Sequence, residues 1–359
     1  MKNGKFDTVN FLYEAKLIDR LFHNNEFEMP VRYVLGLTND CNLRCPFCFL
    51  EKIAAEKAMS PGDWLNVVKQ LPDYARVILF GGEPLYYSHF EEVYRYVADR
   101  FRCTIVTNGT LLNEDLIKLL LSKDRFNELA VSIDTVGNTN RGFSPQQWNS
   151  LVANLKLFVK NTKKHPHPPK LGVATVILDE TAEGLFAMHR FVMEEIGCDY
   201  VTYCTLNGTA MQLSDRMRPF EELYMEEKPP LYEKWDIILG QLEKIRNFND
   251  RKGYRSYFRP KIIDLSTDAP ISALRIINRD GFDKDHYGPC KMPWSDCRIY
   301  GDGSVTSCLG TAFGNFKKTP DLRSILSGPT AMRFREILKK NGFFPQCIRC
   351  VFLYSKAFA

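Results

Sequence analysis

The sequence predicts an α/β chain in which a partial (β/α)6 TIM-like barrel is followed by a small module of β-hairpin and helix. Three observations carry this expectation. Six short, continuously apolar runs alternate with amphipathic stretches from residue 32 to about 208, a pattern that makes a (β/α) barrel or a doubly wound sheet. Three cysteines, Cys41, Cys45 and Cys48, follow directly on the first run, which favours the partial barrel. A second cysteine group, Cys290, Cys297 and Cys308 completed by Cys347 and Cys350, lies on the C-terminal segment.

The strand candidates are "RYVLGL", "RVILF", "CTIVT", "LAVSI", "LGVATVI" and "YVTYC". All are short and rich in β-branched residues, as strands of a covered parallel sheet are. Helix starts lie between them. Ser60-Pro61-Gly62-Asp63 places a capping serine before a first-turn proline and an acid; Asn113-Glu114-Asp115 and Ser144-Pro145 open two more. The organisation read from this is an N-terminal extension over 1–31, the barrel over 32–208, a linker over 209–289 and the cysteine module over 290–359. Within the linker only "LYEKWDIILGQLEKIRNF" has a helical pattern. In the module, "GDGSV" between "RIY" and "TSC" is a hairpin signal.

Of the 359 residues 45% are hydrophobic and 25% charged, and the net charge is +5. That composition buries a full core. The charge is too mild and too scattered to argue for nucleic acid. No apolar run approaches the ~20 residues of a membrane span, and the N-terminus has no signal-peptide core. The expected setting is therefore cytoplasmic, with neither nucleic acid nor membrane as partner. In a reducing compartment eleven cysteines are poor candidates for disulfides, so the clustered ones point to metal or redox chemistry.

Thiolate sulfur suits iron–sulfur clusters and zinc. A cubane has four irons, so three protein thiolates leave one iron open, and an open position is the mark of a catalytic metal. The competing reading is a zinc knuckle with a distant fourth ligand. Local zinc sites are commonly built from paired C-x2-4-C units, whereas Cys41, Cys45 and Cys48 form a single run of three thiols.

The pattern C-x3-C-x-aromatic-C, in a loop after the first strand, resembles the radical S-adenosylmethionine (SAM) superfamily. The resemblance implies a [4Fe–4S] cluster on Cys41, Cys45 and Cys48, with SAM chelating the open iron. One electron from that cluster would cleave the sulfonium, giving a 5′-deoxyadenosyl radical that takes a hydrogen from substrate. It places Phe47 against adenine, and matches Gly81-Gly82-Glu83-Pro84 to the element that holds the SAM amino group. Thr107, Asn108, Ser132 and Asp134 end the third and fourth strands and resemble the polar positions that hold ribose and carboxylate. Arg141 lies where an arginine often follows. On their own these residues read as tight turns and strand-end caps. "GVATVILDE" matches the family's next element poorly, and nothing is carried over there.

The run from Cys290 through Pro293-Trp294, the hairpin, Cys308, Gly314-Asn315 and Cys347-x-x-Cys350 resembles the SPASM/twitch extension of the same superfamily. It implies one auxiliary [4Fe–4S] cluster on Cys290, Cys308, Cys347 and Cys350, because the additional cysteines of a two-cluster SPASM domain do not follow. A structural zinc on those four is the competing reading, and Cys297 reads as a small buried hydrophobe.

The resemblance implies a radical SAM enzyme that needs a reducing partner such as flavodoxin or ferredoxin. Its substrate would be a peptide or protein side chain (oxidation, crosslink or epimerisation), or else a polar small molecule such as an aminocyclitol or sugar. A non-catalytic iron–sulfur or zinc protein is the reading from another class, and it has no need of the Gly81–Pro84 element. Cys204 ends the sixth strand, where barrel strand ends face the active site. It is a candidate hydrogen-atom donor in an epimerisation, against packing as a small hydrophobe. His89, His165, His167 and His189 read as surface or packing residues.

Overall fold

A computed structural model of the protein describes residues 16–24, 26–48, 58–206, 231–263, 265, 270–278, 285–308, 311–344, 347 and 350–356. Residues 1–15 of the expected extension and the first part of the expected linker, 209–230, lie outside the described residues. All six predicted strands form, as β1 Arg32–Gly36, β2 Arg76–Phe80, β3 Arg102–Thr107, β4 Phe126–Ser132, β5 Lys170–Val176 and β6 Tyr200–Cys204. They pair in sequence order and all parallel.

The predicted caps are in place. Ser60 and Asp63 form a reciprocal capping box on the helix Pro61–Lys69, and Ser144 and Gln147 form another on Pro145–Thr162. Asn113 accepts from Leu116 N–H at the start of Glu114–Leu121. Each satisfies main-chain donors that a helix start leaves unpaired.

Burial alternates along the strands. In β2 and β6 every second residue is buried and the others are half-buried. Val77, Leu79, Val201 and Tyr203 pack outward under the helices, with Trp64, Val97, Met188 and Ile238. Ile78, Thr202 and Cys204 take the opposite face, which lines the lumen. The continuous apolar runs conceal this alternation because several lumen residues are themselves apolar.

Two features correct the sequence reading. The expected linker contains a seventh parallel strand, β7 Ser256–Arg259, on the outer side of β6. Ser256 and Phe258 face the helix Trp235–Lys252, where Asn249 Nδ2 donates to Ser256 Oγ at 2.9 Å; Tyr257 and Arg259 are exposed. The C-terminal module also shares the barrel's sheet. Its hairpin strands β8 Asp296–Tyr300 and β9 Ser304–Thr306 form as predicted, but β8 also pairs parallel with β1, from Arg32↔Asp296 to Gly36↔Tyr300. With β10 Ala312–Asn315 the result is one ten-stranded sheet in the order β10-β9-β8-β1-β2-β3-β4-β5-β6-β7. Among the described residues its two edges do not meet, so the barrel is open.

The join is fixed by charge as well as by main chain. Arg32 of β1 forms an ion pair with Asp296 of β8. The buried Arg335, on the helix Pro329–Asn341, donates to the carbonyls of Pro293 at 2.9 Å and Leu326 at 2.8 Å. Cys297 is fully buried opposite Tyr33. His189 is also fully buried, between the Tyr203 hydroxyl at 2.8 Å and Asn249 Oδ1 at 2.7 Å. It is a packing residue of the helix layer, and burial lowers its pKa to about 4.

Candidate active site

The loop after β1 carries Cys41, Cys45 and Cys48, and the loop after β2 is bonded to it main chain to main chain. Leu37 N–H donates to the Phe80 carbonyl at 2.9 Å, Gly82 N–H to that of Thr38 at 2.7 Å, and Glu83 N–H to that of Asp40 at 2.9 Å. So close an approach admits no side chain. A Cβ on Gly81 would meet the Thr38 carbonyl oxygen at 2.4 Å, and one on Gly82 would meet that of Asp40 at 2.3 Å. Gly81 also takes a φ of +149°, which other residues rarely adopt.

Glu83 is wholly buried. Its Oε1 accepts from the Thr107 hydroxyl at 2.6 Å and from Leu85 N–H at 3.1 Å, and its Oε2 accepts from Asn108 N–H at 2.7 Å. A carboxylate has about four acceptor sites, so one remains. Burial raises its pKa to about 7 in spite of these donors. Pro84 opens the short 3-10 turn that the Glu83 side chain caps. Thr107 also accepts from Gly109 N–H at 2.9 Å, so its hydroxyl serves to hold Glu83. Asn108 faces the thiol loop, with Nδ2 donating to Asn42 Oδ1 at 2.9 Å and lying 3.8 Å from Cys41 Sγ.

At the end of β4, the buried Asp134 takes Arg141 in a two-point ion pair, 2.7 Å to Nε and 3.1 Å to Nη2. It also accepts from Asn140 Nδ2 and Val176 N–H, both at 2.8 Å. Arg141 is thereby held over the Phe47 ring at 5.1 Å. Its charge opposes the rise that burial imposes on the Cys45 thiol, while the Leu43 amide opposes the rise at Cys41. Ser132 ends β4 on the lumen face, and its carbonyl accepts from Asn138 Nδ2 at 3.0 Å.

Two further residues of this site carry no motif. Asn138 is fully buried in a left-handed conformation, φ 49°; its Oδ1 accepts from Asp134 N–H at 3.0 Å. The Gly137-Asn138 pair is the turn chemistry that hints at it. Arg259, on the strand the sequence reading missed, stands in register with Cys204. Cys204 lies on the lumen face; burial pushes its thiol up to about 11, with Arg259 opposing. It is a protonated thiol at neutral pH.

The second cysteine group lies beside the sheet join. Cys290, Cys308, Cys347 and Cys350 line a cavity of about 30 Å³, together with Met292, Arg298, Ser307, Phe344 and Phe352. Burial pushes the Cys350 thiol up to about 12, the Cys308 charge adding to the rise and Arg298 opposing it. Among the described residues no three Cys, His, Asp or Glu side chains converge tightly enough to hold one metal ion. Four thiols around one cavity form a donor set that suits an iron–sulfur cluster or zinc.

The residues fit an iron–sulfur cluster at each place. One loop supplies three thiols beside a carboxylate with an acceptor site to spare, and the nearby Asn39 carboxamide is buried with both polar atoms unpartnered. The other supplies four thiols around a cavity whose lining includes the unpartnered buried atoms Arg298 Nε and Ser307 Oγ. Buried polar atoms are rarely left so.

Residues 35–192 match the Radical SAM superfamily profile, and residues 290–351 match SPASM, an iron–sulfur cluster-binding domain. The chain is 25% identical over 341 residues to the tungsten-containing aldehyde ferredoxin oxidoreductase cofactor-modifying protein of Pyrococcus furiosus, covering 88% of this chain and 86% of that protein. It is 29% identical over 151 residues to the antilisterial bacteriocin subtilosin biosynthesis protein AlbA of Bacillus subtilis, covering 38% of this chain and 34% of AlbA. Streptococcus suis SuiB, solved with its precursor peptide SuiA, has the same fold, with a TM-score of 0.62 at 17% identity over 93% of this chain and 72% of SuiB. No described helix is long and apolar enough to cross a membrane.

Proposed function

Because the chain belongs to the radical SAM superfamily and is an enzyme of that class with a SPASM domain, we propose that it modifies a peptide or protein side chain. The observation that carries the chemistry is the bonded pair of loops, which sets an open-sited thiol triad against the one spare acceptor site of Glu83. When bound, the triad cluster and SAM supply one-electron cleavage of the sulfonium and, through it, hydrogen-atom abstraction. The peptide is supported by the relatives' names: AlbA, and the sporulation killing factor maturation protein SkfB of Bacillus subtilis. Among the described residues the sheet is open, which suits an extended chain reaching the lumen.

In this reading Cys41, Cys45 and Cys48 ligate the first cluster and Glu83 takes the SAM ammonium. Gly81 and Gly82 let the two loops touch, Pro84 fixes the turn that Glu83 caps, and Thr107 and Asn108 hold that carboxylate. Phe47 and Arg141 form one wall, which Asp134 orients, and Ser132 faces the lumen beside it. Cys290, Cys308, Cys347 and Cys350 ligate one auxiliary cluster, and an external reductant of the flavodoxin or ferredoxin kind feeds the first. Anaerobically reconstituted protein should then hold about eight irons and eight sulfides per chain, two cubanes. Replacing Cys347 and Cys350 by Ala should halve both. Zinc in anaerobic, unreconstituted protein, beside only four irons, would sink the auxiliary-cluster reading.

A second reading, a non-peptide substrate, is favoured by the Pyrococcus furiosus protein, whose match spans most of both chains and whose name refers to a cofactor. Short peptides encoded beside the gene, and separately aminocyclitols, can be offered in heavy water with reductant and SAM. The peptide reading expects 5′-deoxyadenosine to rise with peptide, and a rise with aminocyclitol alone defeats it. The same assay tests Cys204. A thiol donor gives the substrate a solvent deuterium, and the thiyl left behind takes one electron and a proton from the reductant and solvent. Cys204→Ala should then stall after 5′-deoxyadenosine forms. A product two hydrogens lighter, free of deuterium and made at full rate by Cys204→Ala, leaves an oxidation and returns Cys204 to packing.

A further inference from the structure

Arg298 is a buried cation without an anion. It lies on β8, is 9% exposed, and among the described residues no carboxylate pairs with it. The nearest acid on its own strand face, Asp296, is already held by Arg32 and by the Ser295 hydroxyl. Its guanidinium carbon stands 4.7 Å from the centre of the Phe352 ring, and that of Arg32 stands 5.8 Å from the same ring. The guanidinium is thereby held against the aromatic ring. Its Nε has no hydrogen-bond partner, and neither has the hydroxyl of Ser307, a residue only 2% exposed. Both residues line the cavity ringed by Cys290, Cys308, Cys347 and Cys350. Burying a cation without a partner is costly, as is burying an unpaired hydroxyl. Two such groups on one cavity wall call for the same acceptor.

We infer that Arg298 and Ser307 donate hydrogen bonds to the sulfur atoms of the cluster held in this cavity and set its reduction potential. The inference rests on the auxiliary-cluster reading and adds to it. Four thiolates make the centre anionic, and reduction adds a further negative charge that a neighbouring guanidinium stabilises. Hydrogen bonds to sulfur act in the same direction. The potential is thereby raised, which suits a centre that accepts an electron from a substrate radical during an oxidation. Arg298 and Ser307 are positioning and tuning residues; they need not touch substrate.

The test uses the full chain with Cys41, Cys45 and Cys48 replaced by Ala, so that only the auxiliary centre contributes. Its potential is followed by electron paramagnetic resonance during an anaerobic redox titration. Arg298→Met should shift the one-electron equilibrium at least tenfold toward the oxidised form, or 59 mV, with four irons retained as in the parent. Ser307→Ala should shift it less and in the same direction. Arg298→Lys, which keeps the charge and loses the Nε donor, should fall between parent and Met. If Arg298→Met does not hold its irons, the Lys and Ala variants carry the comparison. Unmoved potentials in iron-replete variants overturn the inference. A parent that binds zinc or no iron defeats the auxiliary-cluster reading itself, a separate outcome.

Discussion

Alanine at Cys41, Cys45 and Cys48 together should reduce SAM cleavage to background while leaving the protein folded. The two halves of that expectation have different causes. The chemistry is lost because the variant removes all three thiolates of the assigned cluster, and a methyl group ligates no iron. The fold survives because the bonds joining the two loops run between main-chain atoms of Leu37 and Phe80, Gly82 and Thr38, and Glu83 and Asp40. None involves sulfur. Thiol-to-methyl changes at the buried Cys45 and the half-buried Cys41 and Cys48 cost about 1 kcal/mol each. Iron content should fall from about eight to about four per chain, the auxiliary cubane remaining. The measurement is 5′-deoxyadenosine under dithionite, with thermal melting as the control. Continued formation of 5′-deoxyadenosine by a folded triple variant would falsify the assignment of the triad.

The parts of this molecule that were legible in its sequence are those whose signals are local. Each of the six strands announces itself as an apolar run, and Ser60, Asn113 and Ser144 announce their helices by caps that act within four residues. The thiol triad and the Gly81–Glu83 turn are legible because close backbone contact and sulfur ligation both restrict residue type. What was not legible is non-local. β7 is four residues, "SYFR", alternating between a helix-facing and an exposed side, with no apolar run to mark it. The hairpin was readable from "GDGSV", but the parallel pairing of β8 with β1 joins residues some 264 apart, and no local period encodes it. The same distance hides Arg298: in the sequence it is one arginine in a strand, and only the sheet join brings it to the cavity. Arg259 is hidden for a like reason, since its register with Cys204 depends on a strand without a signature.

Glu83 should make SAM binding depend on pH near neutrality. In the ligand-free protein its carboxyl titrates at about 7 because burial outweighs the donors Thr107, Asn108 and Leu85. An ammonium placed at the remaining acceptor site needs the ionised form, so below that value binding must first expel a proton. Affinity should fall about tenfold per pH unit as the pH drops below 7. Stability runs the other way. The folded-state pKa lies above the unfolded value of 4.5, so this group stabilises the ligand-free fold fully below pH 4.5, and the contribution is lost as pH rises through 7. A carboxyl moved from 4.5 to about 7 corresponds to about 3 kcal/mol. Glu83→Gln removes the titration while keeping one acceptor for the loop amides. It should flatten both profiles and weaken SAM binding at pH 8 by about 10- to 100-fold, the loss of a charge-assisted hydrogen bond of ~1.5–3 kcal/mol. Glu83→Ala should lose as much affinity and be less stable, because it strands the Thr107 hydroxyl and the amides of Leu85 and Asn108 without an acceptor. Calorimetric titration of SAM into cluster-loaded protein at pH 6, 7 and 8 reads the first profile, and melting of the ligand-free protein reads the second. If Glu83→Gln binds SAM as tightly as the parent with its cluster intact, the carboxylate serves only to cap the Pro84–Tyr86 turn, and the ammonium is held elsewhere.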